Sequence, residues 1–121
     1  MKKTVIIGAT TNTTRYAFMA AERLTQNGYE IVPVGIKKGL VCGQEILPIR
    51  ESPFITDVDT ITLYLGPKHQ SEYYDYLLSL KASRMIFNPG TENLELMRLA
   101  ESNQIEVVEG CTLVMLSIGN Y

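Results

Sequence analysis

Apolar positions along the chain fall into two rhythms that take turns. Thr4-Val5-Ile6-Ile7 is a near-continuous, β-branched run closed by Gly8, the pattern of a strand covered on both faces. From about Thr13 to Gln26 the spacing becomes helical, with Ala17, Ala20, Ala21 and Leu24 on one face and Asn27-Gly28 as the stop. Tyr29 to Val34 predicts a second strand ending at Gly35; its Pro33 has no N–H, which places it near the strand's C-terminal end or on an unpaired side. Between Lys37 and Pro53 the rhythm fades under Gly39, Gly43, Pro48 and Pro53, and only Glu45 to Leu47 reads as a short extended piece.

Alternation then resumes. Asp59 to Leu65 predicts a third strand, and Gly66-Pro67 opens a helix running to Lys81 with Tyr73, Tyr74, Leu77, Leu78 and Leu80. Arg84 to Phe87 predicts a fourth strand. The turn Asn88-Pro89-Gly90-Thr91 follows and caps a helix from Glu92 to Ser102, whose inner stripe is Leu94, Met97 and either Ala100 or Leu99. Ile105 to Val108 predicts a fifth strand, and Cys111 to Ile118 a short terminal helix.

Strands alternating with helices of this length require an α/β fold, a doubly wound parallel sheet of about five strands joined by right-handed crossovers, with residues 1–121 as one domain. The expected order is 3-2-1-4-5, which puts the first loop at the topological switch point. Four Gly- or Pro-marked turns then share the C-terminal rim: Gly8 to Thr13, Gly35 to Lys38, Gly66-Pro67 and Asn88 to Thr91.

Composition narrows the function. A chain of 121 residues, 45% apolar and 20% charged, is ordinary for a globular protein, and a net charge of -2 argues against a general nucleic-acid role. The apolar run before Gly8 is too brief for a signal-peptide core or a membrane span, so a cytoplasmic location is expected. Cys42 and Cys111 stand far apart with no second ligand at metal spacing, so two free thiols are expected and neither a zinc site nor a disulfide framework.

The opening loop carries the chemistry. The first N–H groups of a helix lack internal partners and its dipole is positive there, so the segment Gly8-Ala9-Thr10-Thr11-Asn12 entering a helix is suited to a phosphate. The dinucleotide fingerprint is incomplete, with Thr10 and Thr13 where the second and third glycines belong. Arg15, in the first turn, either pairs with a pyrophosphate or stays with solvent. After the second strand comes Gly35-Ile36-Lys37-Lys38, with no acid to accept from a ribose diol and two ammonium groups instead. Either these lysines merely keep a loop solvated, or they favour a ribose phosphate: the 2′-phosphate of NADP or the 3′-phosphate of coenzyme A.

Catalytic signals are thinner. His69, the one histidine, sits beside Lys68 and Gln70 with nothing to orient it, and reads as a solvated imidazole. Cys111 precedes a helix, where a thiol can be activated; packing under Leu113 and Met115 is the simpler reading. Tyr73, Tyr74 and Tyr76 cannot all face inward from one helix, and whichever points out is a candidate homodimer contact.

Gly8-Ala9-Thr10, Asn27 to Val34, Asn88 to Asn93 and Ile105 to Cys111 together give the chain a resemblance to the small stand-alone CoA-binding proteins, whose fold is similar to the N-terminal CoA-binding domain of the succinyl-CoA synthetase alpha subunit. The resemblance covers essentially the whole chain and is weakest between Gly39 and Val58. It implies a Rossmann-like domain holding the CoA pyrophosphate over Gly8, Ala9, Thr10, Asn12 and Arg15. It places the adenosine end near Gly35, Lys37 and Lys38, and puts Gly66 and Pro67 beside the adenine or the pantetheine arm. Asn88 and Gly90 complete the implied rim. The chain departs from the family pattern at Gly35, where Asn is common, and at Asn88, where Gln is common. The leading expectation is non-catalytic binding of CoA or an acyl-CoA, a small nucleotide ligand, with no nucleic-acid or membrane partner. An NADP-dependent oxidoreductase and a regulatory module with a vestigial pocket are the alternatives.

Overall fold

The computed structural model describes residues 2–121. Its strands are β1 (Lys3–Ile7), β2 (Glu30–Gly35), β3 (Leu40–Val41), β4 (Gln44–Glu45), β5 (Leu47–Pro48), β6 (Thr60–Leu63), β7 (Arg84–Phe87) and β8 (Glu106–Glu109). The helices are α1 (Tyr16–Gln26), α2 (Pro67–Gln70), α3 (Tyr74–Ser79), α4 (Leu94–Ser102) and α5 (Thr112–Ile118). Six strands form one sheet in the order β5-β2-β1-β6-β7-β8, every pair of them parallel, while β3 and β4 make a small antiparallel hairpin.

The α/β class holds, as does the Rossmann-like parallel architecture, but the strand order differs from 3-2-1-4-5. The third long strand, β6, lies on the far side of β1 from β2. The reason is visible in β6 itself: Thr60, Ile61, Thr62 and Leu63 are all buried, which demands a central position. The edge beside β2 goes instead to the two-residue β5, which pairs only Val34 with Leu47 and Gly35 with Pro48. Pro33 explains why so little pairs there. The Val34 carbonyl accepts from Gly8 and Ala9, so Val34 faces β1 and, by alternation, Pro33 turns its N–H-less nitrogen to the outer edge.

Two apolar layers cover the sheet. Val5, Ile7, Leu63, Met85 and Phe87 pack on one face against Tyr73, Leu77, Leu96 and Ala100. Ile6 and Ile31 pack on the other against Ala17, Ala21 and Leu24 of α1, the stripe that the sequence predicts. At the end of the sheet where the strands begin, the Tyr121 ring lies under the Arg84 guanidinium, 4.3 Å from its centroid, and its hydroxyl hydrogen-bonds Thr4.

Several boundaries move for local reasons. α1 starts at Tyr16 rather than Thr13 because the Asn12 carboxamide oxygen accepts from both the Thr14 N–H and the Thr14 hydroxyl, holding that turn outside the helix. The helix expected from Pro67 to Lys81 is broken by a 3-10 turn over Ser71–Tyr73. Tyr73 and Tyr76 face inward, leaving Tyr74 half-buried. Helix α4 is capped by Asn93, whose side chain accepts from the Leu96 N–H, so Leu94 falls at the first helical position and points out, 61% exposed. Leu96, Met97 and Ala100 form its inner stripe.

Candidate functional site

Because the sheet is parallel, the exits of β2, β1, β6 and β7 lie side by side at one end. They frame a cleft of about 720 Å³. Crossing four strands, it extends over roughly 14 Å at about 4.8 Å per strand spacing. One end is walled by Gly35 at the end of β2 with Ile36 and Lys37 after it, the floor by the loop from Gly8 to Arg15, and the other end by Tyr64 to Gly66 after β6 and Pro89 to Thr91 after β7.

The floor is built by close approach of backbones. Gly8 has φ +95°, and a β-carbon there would stand 3.0 Å from the Tyr64 carbonyl carbon. The N–H groups of Gly8 and Ala9 are both bound to the Val34 carbonyl. Beyond them the amides are free: among the described residues the N–H groups of Thr10, Thr11, Thr13, Tyr16 and Ala17 have no hydrogen-bond partner, and the Arg15 side chain does not cap α1. All five residues but Thr13 line the cleft. The open start of a helix of 11 residues thus presents unpartnered amides to the cleft, and no carboxylate is among the lining residues.

Of the residues singled out from sequence, Gly8, Ala9, Thr10, Asn12, Arg15, Gly35, Lys37, Gly66 and Gly90 are brought together around this cleft. Three are not. Lys38 is exposed beyond its end, and Pro67, at the first position of α2, is exposed behind Gly66. Asn88 is buried, its amide group donating to the Thr62 hydroxyl at 2.8 Å and the Leu63 carbonyl at 2.9 Å, while its oxygen accepts from the Thr112 N–H at 2.9 Å. Those three bonds tie β6 and β7 to α5. His69 and Cys111 also lie outside the lining. Among the described residues no group of three or more His, Cys, Asp or Glu is placed to hold a metal ion, and no helix is long and apolar enough to cross a membrane.

Ile36 and Thr91 fall within the turns expected on the rim, whereas the sequence reading missed Ile49, Tyr64 and Leu65 as lining residues. Tyr64 and Leu65 directly follow β6, and they come to the centre because that strand neighbours β1. The Tyr64 hydroxyl is buried without a hydrogen-bond partner, and burial pushes its pKa up to about 12. The Thr62 and Thr112 hydroxyls lie close enough to temper that shift, yet they bond each other at 2.7 Å.

The chain matches the CoA binding domain model over residues 2–117. It belongs to that family. A CoA-binding domain of this kind fits the geometry, with free amides and a lysine spaced along one long cleft. A solved structure described as that of an uncharacterized protein is 57% identical, with a TM-score of 0.96 over 100% of this chain and 98% of its own. A hypothetical protein from Pyrococcus horikoshii OT3 is 24% identical with a TM-score of 0.87, over 97% of this chain and 82% of that one. The dinucleotide-forming acetyl-coenzyme A synthetase 1 of Ca. Korarchaeum cryptofilum, solved with phosphate and ADP, shares the fold at a TM-score of 0.75 and 17% identity; the match covers 90% of this chain and 25% of that one. No curated protein matches the sequence.

Proposed function

We propose that this CoA-binding domain holds coenzyme A or an acyl-CoA by its phosphates and performs no chemistry on it. The observation that carries the reading is the row of unpartnered amides at Thr10, Thr11, Tyr16 and Ala17 on the floor of a cleft with Lys37 at one end. A diphosphate over those amides has its charge met by hydrogen bonds and the α1 dipole, and Arg15, also in the lining, adds a guanidinium. A 3′-phosphate on the ribose then lies within the field of Lys37, with Lys38 adding longer-range attraction. The position of His69 and Cys111 off the cleft supports binding without catalysis. Exposed Cys42 and half-exposed Cys111 suit the reducing cytoplasm, where thiols persist.

Calorimetric titration with CoA, dephospho-CoA, NADP and NAD tests this. CoA is expected to bind more tightly than dephospho-CoA, and more tightly than either dinucleotide. Tighter binding of NADP overturns the reading in favour of an oxidoreductase, and binding of none of the four leaves only the vestigial pocket.

A further inference from the structure

Gln70, the last residue of α2, has no exposed surface, which is unusual for a carboxamide with no ligand of its own. Its bonds say what holds it there. The Nε2 group donates to the Leu65 carbonyl at 2.8 Å and to the Thr91 carbonyl at 2.8 Å, and Oε1 accepts from Asn93 Nδ2 at 2.8 Å. Leu65 and Thr91 belong to the two loops that wall the same end of the cleft, one after β6 and one after β7. Backbone bonds do not tie these loops to each other among the described residues; one side-chain amide spans them. Asn93 holds that amide from behind while capping α4, and also donates to the Tyr74 hydroxyl, which donates to Glu95. The clamp is therefore anchored to a helix.

We infer that Gln70 is a positioning residue that sets the width of the cleft where the pantetheine arm of CoA lies, and so selects for the whole coenzyme over its nucleotide half. The inference rests on the CoA reading above. With the ribose phosphate at Lys37 and the diphosphate over α1, the remainder of an extended ligand runs towards Leu65, Gly66 and Thr91. A buried amide satisfied on both donors keeps those walls at one spacing before the ligand arrives, so no ordering free energy is lost on binding.

The test compares Kd for CoA with Kd for adenosine 3′,5′-bisphosphate, which lacks the arm and the second phosphate of the diphosphate, so the readout is how each variant changes the ratio of the two. The native protein should favour CoA. In Gln70→Leu the two carbonyls lose their shared donor, and CoA is expected to weaken about tenfold while the bisphosphate changes by less than about twofold. Equal loss for both ligands, or loss for neither, overturns the inference. Gln70→Glu keeps the volume if the leucine variant does not fold; a carboxyl has at most one proton to share between the two carbonyls, so its preference for CoA over the bisphosphate should fall below that of the native protein. An unchanged preference overturns the inference. If neither variant folds, exchange of the Gln70 side-chain amide protons in the native protein is the readout: CoA should slow it, the bisphosphate should not, and equal effects overturn the inference. Native protein that binds both ligands equally also overturns it while leaving the functional reading intact; native protein that binds neither removes the functional reading itself.

Discussion

Gly35 passes so close to Ala9 that a β-carbon at Gly35 would stand 2.5 Å from the Ala9 carbonyl oxygen. Such a separation is sterically forbidden, so the exit of β2 and the loop after β1 can meet only through a residue without a side chain. The contact brings Lys37 to the same cleft as the free amides of α1.

Gly35→Ala should therefore lower stability by about 1 to 3 kcal/mol, the usual cost of forcing extra atoms into a packed site. Urea denaturation gives the number. An unchanged midpoint with an unchanged slope would mean that the loop moves aside without cost.

The lysines should separate by position. Lys37→Ala is expected to weaken CoA by about 1.5 to 3 kcal/mol, the loss of one charge-assisted hydrogen bond, and Lys38→Ala by far less, because Lys38 lies beyond the lining. Dephospho-CoA should be indifferent to both. Equal losses for CoA and dephospho-CoA in Lys37→Ala would remove the ribose phosphate from that lysine.

Tyr64 supplies a pH test. Its buried hydroxyl has no partner, so Tyr64→Phe should gain about 1 kcal/mol at neutral pH by removing an unsatisfied group. Burial raises the Tyr64 phenol from 10.0 to about 12, and raises Tyr76 to about 12 as well. A phenol raised in the folded state supports the fold fully below its unfolded pKa, and that support is lost as pH rises through the folded value. Native stability should fall between pH 10 and 12, and less steeply in Tyr64→Phe. Parallel curves for the two proteins would show that the phenol is not buried as described.

Much of this protein is legible along the chain because the signals are local. The stripe Ala17, Ala20, Ala21 and Leu24 lies inside, and Gly66-Pro67 begins α2. Where local signals failed, a side chain had bonded to something distant or to its own turn. Asn12 shortened α1 by capturing Thr14, and Asn93 displaced Thr91 as the cap of α4. Asn88 carries the same letters in sequence whether it faces a ligand or the interior; its three bonds to Thr62, Leu63 and Thr112 link residues 24 to 26 positions away.

The amino-acid sequence alone determined the alternation of strand and helix, the parallel α/β class and the glycine-opened loop, since periodicity and backbone freedom are properties of neighbouring residues. Only the tertiary structure decided that β6 rather than β7 lies on the other flank of β1 from β2, that Tyr64 and Leu65 therefore join the cleft, and that Gln70 spans its walls. Strand order depends on which edges remain free once every buried backbone group is paired, and that competition involves the whole chain at once.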